Sequence, residues 1–184
     1  MEEELEQDVP RTAEAVAKRC FVLYAVVAAG NEESRAGLVD WLRREGLWAE
    51  VSPEEAAFLT ADEPEKQAMI NATWRTEALG ALMWSLGKIE ATDMGNVPVL
   101  RRAMPPLYGE TGDFVAGAQL RGDAEVLALY EEIYQAHWSV RDARLHGRPL
   151  PEGLHPGVLQ ERHHALNWLI GYCGQEWDDV ATDT

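Results

Sequence analysis

The sequence predicts an all-α fold: a single-domain bundle of about six helices, closed by an ordered acidic C-terminal tail. Three observations predict it. Apolar residues recur at i, i+3, i+4 and i+7 through most of the chain, the spacing that gathers them on one side of a helix. Capping residues and Gly/Pro punctuation cut that pattern into helix-sized pieces. No short run alternates at period two between turn signals, so no sheet is predicted.

Taken in order, residues 1–10 read as a flexible acidic tip, and 11–184 as one helical domain. Thr12 caps a first helix to about Ala29, where Gly30 and Asn31 stop it. A second helix runs to about Glu45 with Leu38, Trp41 and Leu42 on one face, and Gly46 terminates it. Ser52-Pro53-Glu54-Glu55 is a capping box with proline at the first helical position, which starts a short helix to about Ala61. Asp62 and Pro64-Glu65 open the next helix, to about Ile89. From Glu90 to Phe114 glycines and prolines predict a long connection with at most one helical turn. Asp123 opens a long helix to about His146, and the last helix spans Pro156 to about Tyr172.

Composition narrows the function. The 184 residues suffice for one domain and are few for two; 46% of them are hydrophobic, including seven tryptophans to fill a core. A net charge of −16 excludes a phosphate-backbone partner and an anionic membrane surface. The acidic start lacks the basic-then-apolar order of a signal peptide, and the longest apolar run, CFVLYAVVAA, is too short to span a bilayer. A cytoplasmic protein is expected. Cys20 and Cys173 sit in apolar stretches with no metal-ligand spacing and are read as small hydrophobes.

The informative residues are three arginines on helix faces that should be dry. Arg162 projects among Val158, Leu159, Ala165, Leu166, Leu169 and Ile170. His137 and Arg141 fall within a stripe made of Val126, Leu127, Tyr130, Ile133, Tyr134 and Trp138. Arg75 continues the line of Leu79, Leu82 and Leu86. A buried guanidinium needs an anion, and the candidates are Glu77, Glu161, Asp178, Asp179 and Asp183. The expectation is that the three heads converge and that Trp177 anchors WDDVATDT against the bundle. The tail aspartates would then neutralise the arginines, with Thr182 and Thr184 completing the hydrogen bonding.

Other signals carry less. His163 and His164 are adjacent, so they point about 100° apart on a helix and cannot share an ion as an i,i+4 pair does; both are read as surface or rim residues. His137 has Arg141 at i+4, which repels a cation. No metal site and no cofactor are expected. DDVATD lacks the glycine and ligand spacing of a calcium loop, and no phosphate-binding glycine motif or nucleophile elbow is present.

Several stretches resemble the bacterial domain-of-unknown-function family 4272: RCFVLYAVV, LWAEVSPEEAAFL, INATWRTEALGALMWSLGKI, HWSVRDARLHG, and ERHHALNWLIGY followed by WDDVATDT. They span nearly the whole chain and include Arg75, Glu77, Arg141, Arg162 and the tail acids. Gly80 departs where the family is expected to have tryptophan, and His164 where it has tyrosine. The resemblance implies no activity. The leading expectation is a non-catalytic domain that acts through binding, with an internal Arg/Asp network ordering its tail. One alternative is an enzyme or sensor for a small anion at Arg75, Arg141 and Arg162, with His137 as the proton-transfer candidate. Another is an acidic module of the inhibitor or immunity type that engages a basic protein.

Overall fold

The computed structural model describes residues 8–183, and in that span the chain is all-α in one domain. Eight α-helices occur: α1 Ala13–Gly30, α2 Arg35–Arg44, α3 Pro53–Thr60, α4 Lys66–Ser85, α5 Val97–Ala103, α6 Gly112–Ala116, α7 Asp123–Leu145 and α8 Pro156–Ile170. The six expected helices are present. The two additional ones, α5 and α6, are short and lie in the segment read as a connection. Asn96 accepts from the Val99 N–H and Pro98 follows in the first turn, so α5 starts by the same capping logic as α3. Leu86–Ile89 is a turn rather than α-helix, and α8 stops at Gly171, which takes φ +75°, so that Tyr172 opens a separate short 3-10 helix, Tyr172–Gly174.

The core is organised around α1. Residues Val16, Ala17 and Arg19–Ala29 are all buried, so this helix is enclosed on every side, and α4 is its principal neighbour. α8 packs on α4, and α7 packs on α8 as an outer helix. The connection between α4 and α7 is pinned to the bundle. The Trp41 indole N–H donates to the Gly109 carbonyl (2.8 Å), and Arg121 donates to the carbonyls of Trp84 (2.7 Å) and Ile89 (3.2 Å).

Residues 8–10, grouped with the flexible tip from the sequence, are held against the end of α8. The Asp8 carboxylate accepts from the Cys173 N–H at 2.9 Å, and the adjoining Arg11 N–H donates to the Leu169 carbonyl at 2.8 Å. The Val9 backbone occupies the space a Cβ would need on Gly171, so glycine is required there for close approach as well as for its left-handed turn. Residues 1–7 and Thr184 lie outside the described span. No helix among the described residues is long and apolar enough to cross a membrane.

Candidate functional site

α4 and α8 exchange two ion pairs in a crossed arrangement. Arg75 and Glu77 lie on α4; Glu161 and Arg162 lie on α8. Arg75 Nη1 donates to Glu161 Oε2 at 3.1 Å, and Arg162 donates through Nε and Nη2 to Glu77 Oε2 at 3.0 and 2.8 Å. Arg162 Nη2 also reaches the Met94 carbonyl at 3.1 Å. Burial pushes the Glu161 carboxyl above its usual range, and Arg75 opposes that rise. The third arginine stands elsewhere. Arg141 is exposed and its Nη1 donates to the Thr182 carbonyl at 3.0 Å.

The expected convergence of three arginines on the tail carboxylates is therefore corrected. Among the described residues no ion pair joins Asp178, Asp179 or Asp183 to an arginine. Glu77 and Glu161 already face the arginines across the α4–α8 contact, so Arg75 and Arg162 are paired between helices without the tail. Asp178 Oδ2 accepts instead from the Glu54 N–H (2.9 Å) at the start of α3, where a helix N-terminus favours an anion. Asp179 and Asp183 are exposed.

The tail is nonetheless seated, and Trp177 is its anchor at 3% exposure. The Arg19 guanidinium lies 4.5 Å from its ring centroid and that of Arg75 5.9 Å; the His164 and Trp168 rings meet it edgewise at 4.6 and 5.5 Å. Beyond Trp177, Asn167 Nδ2 donates to the Ala181 carbonyl (2.7 Å) and the Ala181 N–H to Gln175 Oε1 (2.9 Å). Arg11 donates to the Gln175 carbonyl at 2.6 Å. Backbone groups, the Trp177 ring and the Asp178 carboxylate dock this tail, while Asp179 and Asp183 stay at the periphery.

Two residues beneath Trp177 escaped the sequence reading. Arg19 is 3% exposed and pairs with Glu55, 6% exposed. Glu55 Oε2 also accepts from the Ser52 N–H at 3.0 Å, which completes the capping box of α3. The signal for Arg19 was present: it adjoins the apolar run Cys20–Ala29 and has no wet side when its helix is enclosed. The signal for Glu55 was masked, because the capping box by itself accounted for its presence.

The histidines also differ from expectation. His163 is 1% exposed and meets His137 Nδ1 to Nδ1 at 2.9 Å; it is an interior residue rather than a rim one. Burial, reinforced by His137 and Arg141, lowers His163 to about 4. His164 is half-buried against Trp177 and is lowered to about 4 by burial and by Arg75. The α7 stripe reads differently too, for Leu127 and Trp138 are exposed. α7 packs on α8 through Val126, Leu129, Ile133, His137 and Val140, an arc too narrow to cover Leu127 and Trp138.

Arg75 separates two clefts. One, of about 180 Å³, is bounded by Glu54, Phe58, Ala72 and Asp178; the other, of about 300 Å³, by Trp74, Gln160 and Glu161. Asn71 and Arg75 line both. Arg141 faces a different space, an open groove beside Trp138 and Leu145. Among the described residues no group of three or more His, Cys, Asp or Glu is arranged to hold a metal ion.

Comparison with known proteins gives one match. The model of a family described as Domain of unknown function (DUF4272) matches residues 1–180. No curated protein and no solved structure matches the chain.

Proposed function

The chain belongs to the family described as Domain of unknown function (DUF4272), and from that premise, which brings no activity with it, we propose that it is a non-catalytic binding domain whose ligand site is the pair of clefts meeting at Arg75. The observation that carries this reading is the state of the Arg75 side chain. Its Nη1 is used by Glu161, while Nε and Nη2 donate to no described residue, and the side chain keeps 27% of its surface between two clefts. Directed donors beside an apolar wall are what orients a small ligand in a cleft.

The lining selects the ligand class. Val26, Phe58, Ala68 and Ala72 supply an apolar wall, and Glu54 and Asp178 stand on the same cleft as Arg75. A simple anion would meet Arg75 but be repelled by those carboxylates, and a simple cation would be repelled by Arg75. A small zwitterion, carrying an amine together with a carboxylate, satisfies both. Catalysis by His137 is disfavoured by its position: at 5% exposure and closed against His163, its imidazole has no open face for a substrate.

A thermal-shift and calorimetric series with free amino acids, simple carboxylates and simple amines tests this reading. Amino acids are expected to stabilise the protein, and the effect should vanish in Arg75→Gln while persisting in Arg141→Gln. Absence of any shift, or a shift unchanged in Arg75→Gln, would overturn it.

A further inference from the structure

α7 carries a second apolar face that, among the described residues, is left exposed. Its buried side, Val126 to Val140, packs on α8. On the flank of that buried side Leu127, Trp138 and Leu145 are 52%, 46% and 82% exposed. They share a row with Glu131, whose Oε1 accepts from Gln135 at 2.9 Å, with Arg141, and with Tyr134, which is half-buried with its ring 5.6 Å from that of His163; the row is 127, 131, 134, 138, 141 and 145. The steps are four, three, four, three and four, the a/d spacing by which a helix presents one seam to a partner helix.

The order of residues along the seam reads the same under a two-fold rotation. Laid antiparallel about an axis beside Ala136, Leu127 meets Leu145 of the other copy, Glu131 meets Arg141, and Tyr134 meets Trp138. Every layer is then apolar with apolar or acid with base. The flanks agree. The first half of α7 holds Asp123, Glu125, Glu131 and Glu132 with no Lys or Arg; the second half holds Arg141 and Arg144, and its one acid, Asp142, pairs with Arg148. Antiparallel alignment brings these halves together and opposes the helix dipoles favourably, whereas parallel alignment would stack acid on acid. Only Nη1 of Arg141 is engaged, at the Thr182 carbonyl, and the residue is exposed, so its guanidinium is available to Glu131 of the other copy.

We propose that the exposed face of α7 is an isologous interface, and that two copies of this chain associate through an antiparallel α7–α7 seam. A second copy fits better than an unrelated partner because the pattern complements itself layer by layer. One helix pair lies at the low end of interface sizes, below about 1,200 Å² in total, so the dimer should dissociate on dilution.

Sedimentation velocity on the full chain across micromolar concentrations measures the association. A concentration-dependent dimer is expected, and Glu131→Arg or Arg141→Glu alone should weaken it by about tenfold or more, since each places like charges in two layers. The double variant Glu131→Arg/Arg141→Glu restores opposite charges and should recover the dimer. An equimolar mixture of the two single variants should form a heterodimer for the same reason. Far-UV circular dichroism checks that each variant is folded, and the mixture makes the test independent of small changes in either one. A monomer at every concentration, a dimer indifferent to both single substitutions, or failure of both the swap and the mixture to restore association would overturn the proposal.

Discussion

His137 and His163 share one hydrogen bond between their Nδ1 atoms, at 2.9 Å, in the buried contact of α7 with α8. Such a bond needs one protonated and one bare nitrogen, so one imidazole donates and the other must stay neutral. His163 Nε2 is buried without a hydrogen-bond partner. The Asn167 side chain beside it favours the protonated form of His163, against the larger effect of burial.

The pH dependence of stability follows. His163 is lowered to about 4 in the folded protein, so between its ordinary value near 6.5 and about 4 the unfolded chain binds a proton that the folded one refuses. Its contribution is complete above about 6.5 and is lost as pH falls through that window, reaching about 3 kcal/mol only near pH 4, where the folded form titrates as well. Urea denaturation from neutral to acid pH should show the loss, and His163→Gln should make it shallower, with His164, also lowered to about 4, supplying the rest. An equally steep profile in His163→Gln would rule the imidazole out as its source.

The Arg19–Glu55 pair predicts an asymmetric mutational cycle. Glu55→Gln removes the counter-charge of a guanidinium that is 3% exposed, and should destabilise by about 3–5 kcal/mol. Replacing both partners by apolar residues, Arg19→Met with Glu55→Leu, removes the uncompensated charge and should recover part of that loss. What remains should reflect the Ser52 capping interaction, about 1 kcal/mol. Chemical denaturation of the three variants provides the check; a double variant less stable than Glu55→Gln would contradict it.

The two ion pairs show where sequence reasoning reaches and where it stops. The helices were legible because periodicity and caps are local properties: Ser52 and Glu55 form their capping box as the SPEE run predicts. The residues of the α4–α8 network were legible too, since an arginine amid leucines demands an anion wherever it lies. Which anion answers it was not legible, because Glu77 and Asp178 are chemically alike and only the docking of α8 on α4 chooses between them. The α7 wheel failed for a related reason. A broad apolar stripe does not say which part of its arc the neighbouring helix covers, so Leu127 and Trp138 were placed inside although they face outward.

Trp177 is expected to dominate the docking of the tail. Trp177→Ala should cost about 3–5 kcal/mol, as for other buried aromatic truncations. By comparison Asp179→Ala and Asp183→Ala, both at exposed positions, should stay within about 0.5 kcal/mol. Truncation after Glu176 should be at least as damaging as Trp177→Ala. Thermal and urea melts of these four proteins separate an aromatic anchor from an electrostatic one; comparable losses for the aspartates would favour the latter.

The Glu77–Arg162 pair depends on Gly95, next to the Met94 carbonyl that Arg162 also reaches. Gly95 has φ +81°, and a Cβ built on it would collide with the Glu77 carboxylate. Gly87 has a similar φ of +67° with nothing within 4 Å of its Cβ position. Alanine at either site meets the left-handed backbone penalty, about 1 kcal/mol. At Gly95 it must also displace Glu77 from Arg162. Gly95→Ala should therefore be clearly the more destabilising of the two, and combining it with Glu77→Ala should cost less than the sum of the single changes, because the carboxylate it displaces is already gone. Urea midpoints for both glycine variants, for Glu77→Ala and for the double variant decide it. Equal losses at the two glycines would mean that Glu77 yields without cost, and that its grip on Arg162 contributes little to the fold.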